Sequence, residues 1–240
     1  MAGEKAIEWD AVGKRYYENG TDRGVLYPMD AQGAYAKGVA WNGLTAVTES
    51  PEGAEATDLY ADNGKYATLR STETFGCTIE AYTYPDEFAE CDGSVQIAKG
   101  VFAGQQEHKG FGFSYRTNIG NDTATTADDG YKIHIVYGCT ASPSEKSYAT
   151  VNDSPDAITF SWEVKTTPVN VAGHKPTATL VIDTRFADPE KVKQLEEMLY
   201  GKDETSFPKL PTPAEVITLM GVVSAEAASV TDQSKPVVSK

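Results

Sequence analysis

Tyr131-Lys-Ile-His-Ile-Val-Tyr137 alternates. In an extended chain Tyr131, Ile133, Ile135 and Tyr137 share one face, and Lys132 and His134 fall on the other. That period of two is the mark of a half-buried β-strand. Ile158-Thr-Phe-Ser-Trp-Glu-Val164 repeats it: Ile158, Phe160, Trp162 and Val164 oppose Thr159, Ser161 and Glu163. Phe111, Phe113 and Tyr115 alternate with Gly112, Ser114 and Arg116, and Leu180 and Ile182 with Thr179, Val181 and Asp183. A further β-prone stretch runs from Lys65 to Tyr84 through Thr68, Thr72, Phe75, Cys77, Ile79 and Tyr82.

Polar turns punctuate these segments. Asp62-Asn63-Gly64, Asn118-Ile-Gly-Asn-Asp122, Asp128-Asp129-Gly130 and Asn152-Asp-Ser-Pro155 hold residues that tolerate positive φ. Short strands split by such turns predict a mainly β protein, an antiparallel sandwich or barrel. There is no βαβ rhythm and no repeat of fixed period, which argues against a parallel nucleotide-binding sheet and a solenoid.

Helices are few. Pro85-Asp-Glu-Phe-Ala-Glu-Cys91 predicts a short flanking helix of two turns, stopped by Asp92-Gly93. Asp188 is a good N-cap before Pro189; Val192, Leu195 and Leu199 then share a stripe that Gly201 ends. Thr212 and Glu215 have capping-box spacing around Pro213, with Val216, Leu219 and Met220 apolar and Gly221 as the stop. The chain beyond Gly221 reads as a flexible tail. The first forty residues mix Gly, Tyr and charge with weak periodicity and read as an arm that a partner orders. The acidic stretch from Thr48 to Asp58, with Pro51 and Gly53, reads as a long loop, and long loops are disordered or functional.

The chain has 240 residues, 35 acidic and 21 basic, for a net charge of −14. Such a surface repels phosphate, so readers of DNA or RNA sequence are disfavoured, and no Lys/Arg cluster offsets it. Cys77, Cys91 and Cys139 are odd in number and widely spaced, without C-x-x-C, so buried free thiols are expected rather than a disulfide framework or zinc ribbon. The first ten residues lack the apolar region of a signal peptide, and no apolar run has the length of a membrane span. The sequons at Asn19, Asn121 and Asn152 then read as chance matches in a soluble, cytoplasmically made protein.

Signs of chemistry are sparse. G-x-S-x-G, H-E-x-x-H and G-x-x-x-x-G-K-[ST] are absent from the sequence. His108, His134 and His174 are far apart in sequence, with no close cysteine pair, and His134 is expected on the polar face of its strand. Asn121 to Gly130 lacks the alternating acids of a calcium loop. Acids such as Asp128-Asp129 and Glu196-Glu197 are too many to single out a glycosidase pair. No catalytic, cofactor or metal site is expected. Trp9, Trp41, Trp162 and the tyrosines leave open a glycan-binding face.

Five segments together resemble the major tail protein (tail tube) family of phages with long, non-contractile tails. They are Val39–Glu55, with Trp41-Asn-Gly and Glu49-Ser-Pro-Glu-Gly; Leu59-Tyr-Ala-Asp-Asn-Gly-Lys-Tyr66; Phe75 to Phe88, ending in Tyr84-Pro-Asp-Glu-Phe88; Tyr131–Gly138; and Phe160-Ser-Trp-Glu-Val-Lys-Thr-Thr-Pro-Val169. Their order along the chain carries the resemblance, which spans roughly residues 25 to 220. It implies a tail-tube β-domain over residues 1–185, including an N-terminal arm of about 1–36, and a C-terminal helical extension over 186–240. It implies a structural virion protein, not an enzyme, whose hexameric rings stack into a hollow tube that conducts DNA into the host. The implied partners are further copies of the chain, the tape measure protein, and tail terminator and tail-tip proteins. Genomic DNA would pass the lumen without specific binding, and no membrane is involved. Trp41, Glu49, Glu52, Glu55, Asp58, Tyr60 and Asp62 are the expected contacts between subunits or rings. A glycan-binding β-sandwich module on a virion surface is the alternative.

Overall fold

The computed structural model describes residues 7–123, 130–150, 156–203 and 206–221. Among the described residues twelve strands come first: β1 (Tyr16–Pro28), β2 (Val39–Ala40), β3 (Leu44–Glu49), β4 (Ala56–Ala61), β5 (Gly64–Arg70), β6 (Gly76–Ala81), β7 (Val95–Ala98), β8 (Val101–Ala103), β9 (Phe111–Asn121), β10 (Tyr131–Ala141), β11 (Phe160–Thr166) and β12 (Thr179–Asp183). Two helices follow, α1 (Pro189–Tyr200) and α2 (Pro213–Met220).

The fold is mainly β and antiparallel, as the alternation predicts. One eight-stranded sheet runs β2-β1-β9-β10-β11-β6-β3, with β12 paired to β10 beside β11. β4–β5 and β7–β8 are separate two-stranded hairpins. The sheet does not close into a barrel: its path ends at β3 and β2. It curls instead. Trp41, just after β2, packs in one cluster with Ile79, Phe88, Phe113 and Trp162. Its ring lies 4.6 Å from Phe88, 5.5 Å from Phe113 and 5.6 Å from Trp162. Such tilted and edge-on pairs contribute roughly 0.5–1.5 kcal/mol each beyond area burial.

The opposite face of β1, β9, β10 and β12 is covered by the C-terminal helices. Val25, Tyr27, Ile133, Ile135, Tyr137 and Ile182 form a second cluster with Val192, Leu195, Leu199 and Val216. Both helices begin as predicted. Asp188 accepts a hydrogen bond from the Glu190 N–H, and Thr212 with Glu215 closes a full capping box. Two tyrosines fasten helices to sheet: the Tyr27 hydroxyl donates to the Leu199 carbonyl at 2.8 Å, and the Tyr137 hydroxyl to that of Pro211 at 2.9 Å.

Several local readings change. The segment expected to be an arm supplies β1, which lies inside the sheet; Leu26 and Tyr27 are fully buried. Its pattern is hidden for two reasons. Val25, Leu26 and Tyr27 feed clusters on both faces, so the apolar run is continuous. Two register shifts, around Gly20 and Arg23 with φ of 66° and 50°, break the period further. β10 is likewise covered on both faces rather than half-buried, and His134 is interior, at 8% exposure. Asn118 to Asn121 continue β9 instead of turning; Ile119 is buried, and the Tyr17 ring lies where a Cβ on Gly120 would sit. The loop expected from Thr48 to Asp58 is the end of β3, a link and the start of β4. The Pro85 helix is a 3-10 turn over Asp86–Ala89, with Pro85 as N-cap and Phe88 buried. The expected turns at Asp128-Asp129 and Asn152–Pro155 and the tail after Gly221 lie outside the described residues.

Candidate assembly surface

The β4–β5 hairpin is built by its turn. Asp62 and Asn63 adopt φ of 49° and 60° between the paired residues Ala61 and Gly64. Two central residues at positive φ give the type I′ geometry whose twist matches the flanking strands. The register sets Thr57 opposite Leu69 and Leu59 opposite Ala67 on one face, and Asp58 opposite Thr68 on the other. On the polar face the Asp58 carboxylate accepts from Thr68 at 2.7 Å and from Lys65 at 2.8 Å, and these bonds hold its pKa below the ordinary value.

Every residue of β4 is exposed, and β5 is exposed except at Ala67. Tyr60 is 71% exposed and Tyr66 77%; Leu59 and Leu69 are 41% and 57% exposed. A two-stranded ribbon is marginally stable by itself. One that also displays apolar side chains marks an interaction surface. The β7–β8 hairpin presents Val95, Ile97, Val101 and Phe102 in the same way, and the N-terminal segment presents Ile7, Trp9 and Val12.

The residues singled out from sequence divide into four groups. Glu55, Asp58, Tyr60 and Asp62 come together on the β4–β5 hairpin and its near root, all exposed. Glu52 sits in the link between β3 and β4, bridged to Thr74 by backbone hydrogen bonds of 2.9 and 2.8 Å. Trp41 is not at the surface: it is 3% exposed, and its indole N–H donates to the Thr83 carbonyl at 3.0 Å, so its side chain presents no face to a neighbour. Sequence reasoning missed Leu59, Tyr66 and Leu69 of the hairpin and all of β7–β8. The signal for the first three was present, because two β-prone runs flank the two-residue turn Asp62-Asn63.

Glu49 turns inward. It is the last residue of β3, and its carboxylate accepts from the Tyr115 hydroxyl at 2.8 Å. The Tyr115 ring stacks on the His134 imidazole with centroids 4.5 Å apart and planes 6° from parallel. His134 Nε2 pairs with the Thr117 hydroxyl at 3.0 Å, while Nδ1 is buried without a hydrogen bond, 3.5 Å from Glu49 Oε1. Burial lowers the His134 pKa, against the pull of Glu49 and Glu18. Burial, with the Glu49 carboxylate adding to it, pushes the Tyr115 hydroxyl up.

No protein-family model matches this sequence, and no curated protein matches it. Solved structures to which it is weakly similar include two tube-terminating components. One is the cryo-EM structure of an anti-feeding prophage cap, a tube terminating cap, with a TM-score of 0.36 and 9% identity over 77% of this chain and 98% of that one. The other is the sheath/tube terminator, in the extended state, of an extracellular contractile injection system, with a TM-score of 0.33 and 12% identity over 74% and 99%. At these TM-scores the likenesses carry no argument about function.

Among the described residues no group of three or more His, Cys, Asp or Glu side chains is placed to hold a metal. Cys77, Cys91 and Cys139 are free and buried; burial pushes the Cys77 and Cys91 thiols up to about 12 and the Cys139 thiol well above its ordinary value. A groove of about 770 Å³ over β6 and β11 is lined by Glu52, Thr74, Phe75, Ser144, Glu163 and Lys165 among others. Among the described residues Phe75 is the one aromatic residue lining it, and it is half-buried. No helix among the described residues is long and apolar enough to cross a membrane.

Proposed function

We propose that this chain is a structural subunit of a phage-type tail tube, which associates with copies of itself in hexameric rings that stack into a hollow conduit for DNA. The observation that carries the reading is the β4–β5 hairpin, exposed on both faces with Leu59 and Leu69 on one of them. A ribbon of this kind gains its stability from whatever it lies against.

The sheet supports the same reading. Tyr16 to Asp22 of β1 pair with β9 on one side, while β2 covers only Val25 and Leu26 on the other. Such an edge is a template for another strand. Contacts that join unlike surfaces head to tail close into a ring or run on as a filament. A net charge of −14 suits a conduit past which phosphates slide. On this reading the other partners are the tape measure, terminator and tail-tip proteins, the site of action is the virion tail, and the chain catalyses no reaction.

Negative-stain electron microscopy of the concentrated, purified chain is the test. Uniform hollow tubes or rings are expected. A strictly monomeric protein across salt, pH and concentration would end the proposal.

A further inference from the structure

We propose that Glu49, Tyr115 and His134 form an acid-sensitive latch at the root of the β4–β5 hairpin, closed while His134 is neutral and opened when it takes a proton.

The latch joins β3 to strands with which it shares no hydrogen-bond ladder. β3 is an edge strand paired with β6, whereas Tyr115 and His134 lie on β9 and β10, farther along the sheet. Glu49 therefore reaches across the curl of the sheet to take the Tyr115 hydroxyl at 2.8 Å. Tyr115 is in turn stacked flat on His134. Glu49 is also the last residue of β3; Ser50 and Glu52 follow in the link, and the hairpin starts at Ala56. Whatever holds Glu49 holds one leg of the hairpin's root.

The imidazole is poised between two states. It is buried, its Nε2 is partnered by Thr117, and its Nδ1 is unpartnered 3.5 Å from Glu49 Oε1. Charged and titratable neighbours approach from several strands. Glu49 on β3 and Glu18 on β1 favour the imidazolium, and Lys132 on its own strand opposes it. Glu18 is itself engaged by Lys132 and by the Thr117 hydroxyl, and Lys132 lies opposite Asp183 of β12. Cys77 of β6 lies near Tyr115, and its thiol stays protonated. The β12 residue opposite His134 is Val181, which brings no charge. Burial outweighs the two glutamates, so the closed latch binds a proton less well than an exposed imidazole does. The stability this contributes is full above the ordinary imidazole value near 6.5 and is lost as the pH falls through the lower value of the closed state. Acid thus favours a state in which His134 meets water and Glu49 is released. The consequence for assembly rests on the hairpin being the assembly arm; the latch itself does not.

Native-state hydrogen exchange on the full chain tests it. The amides of Val47, Thr48, Glu49 and Ser50 are followed from pH 8 to pH 5 and corrected for intrinsic exchange. Their protection should fall with pH, by at most about tenfold per pH unit for a single proton, and His134→Gln should make it flat. A flat response in the unsubstituted chain, or the same fall in His134→Gln, overturns the latch. If His134→Gln does not fold, an NMR titration of His134 in the unsubstituted chain decides. A midpoint below that of free imidazole, with loss of the Tyr115 ring-current shift, supports the latch; a midpoint above it overturns the sign. Tube formation is scored separately. Absence of tubes at every pH sinks the assembly reading and leaves the exchange result standing.

Discussion

Leu59 and Leu69 allow the assembly reading to be tested without disturbing the fold. They sit on one face of the β4–β5 hairpin and are 41% and 57% exposed, so together they show about the surface of one fully exposed leucine. Burying that much apolar surface is worth about 2 kcal/mol. A double substitution, Leu59→Ser with Leu69→Ser, should therefore weaken each hairpin contact by about 30-fold. The monomer should hardly change, since exposed substitutions stay within about 0.5 kcal/mol. The assay is a concentration series scored by sedimentation and electron microscopy. The concentration at which tubes first form should rise at least 30-fold, while the urea midpoint stays put. An unchanged threshold with intact folding would refute the hairpin as an assembly contact.

Trp41→Ala should behave in the opposite way. It removes a buried indole from the Phe88, Phe113 and Trp162 cluster and should cost about 3–5 kcal/mol, read as a lowered urea midpoint with unchanged slope. The three thiols should resist a disulfide reagent at pH 8 in the native chain and react at once in denaturant, since burial keeps them protonated and covered; a fast native phase would contradict their placement. Arg116 grips Asp22 with two bonds of 2.7 Å and lowers its pKa. The linked stability is present above the ordinary aspartate value of about 3.9 and lost as the pH falls through the lowered one. Asp22→Asn should therefore flatten acid unfolding there, by under about 1 kcal/mol because the Asp22 side chain, 41% exposed, is screened by solvent.

Much of the fold was legible where one physical rule governs a segment. Both C-terminal helices were marked at each end, by Asp188 and Gly201 and by Thr212 and Gly221, because capping is local chemistry that needs no tertiary information. β11 and β12 followed the period of two: Trp162 and Val164 point inward past Glu163, and Ile182 past Val181. β1 was illegible because two rules overlap there. Covering on both faces erases alternation, and bulges at Gly20 and Arg23 shift what remains. His134 failed for the same reason: α1 and α2 cover the face of Ile133 and Ile135, while the curl of the sheet brings Tyr115, and Glu49 of β3, over the His134 face, so a strand expected to have one wet face is central.

The candidate site was legible only in part, and Trp41 and Tyr60 show why. Both are aromatic residues beside an acidic stretch, and a sequence cannot tell a ring buried in its own core from one displayed for a partner, since both environments favour aromatics. Backbone geometry separates them. Trp41 follows β2 into the bend of the curled sheet, where Phe88, Phe113 and Trp162 surround it. Tyr60 precedes a two-residue turn that folds its strand back on β5 alone, with no second layer to cover it. What decides between core and interface is thus how far the next strand pairing lies from the sheet. For residues 56–70 that pairing is local to the ribbon. An isolated ribbon cannot bury both of its faces against itself, so on the proposed assembly the cover for Leu59 and Leu69 comes from outside the hairpin.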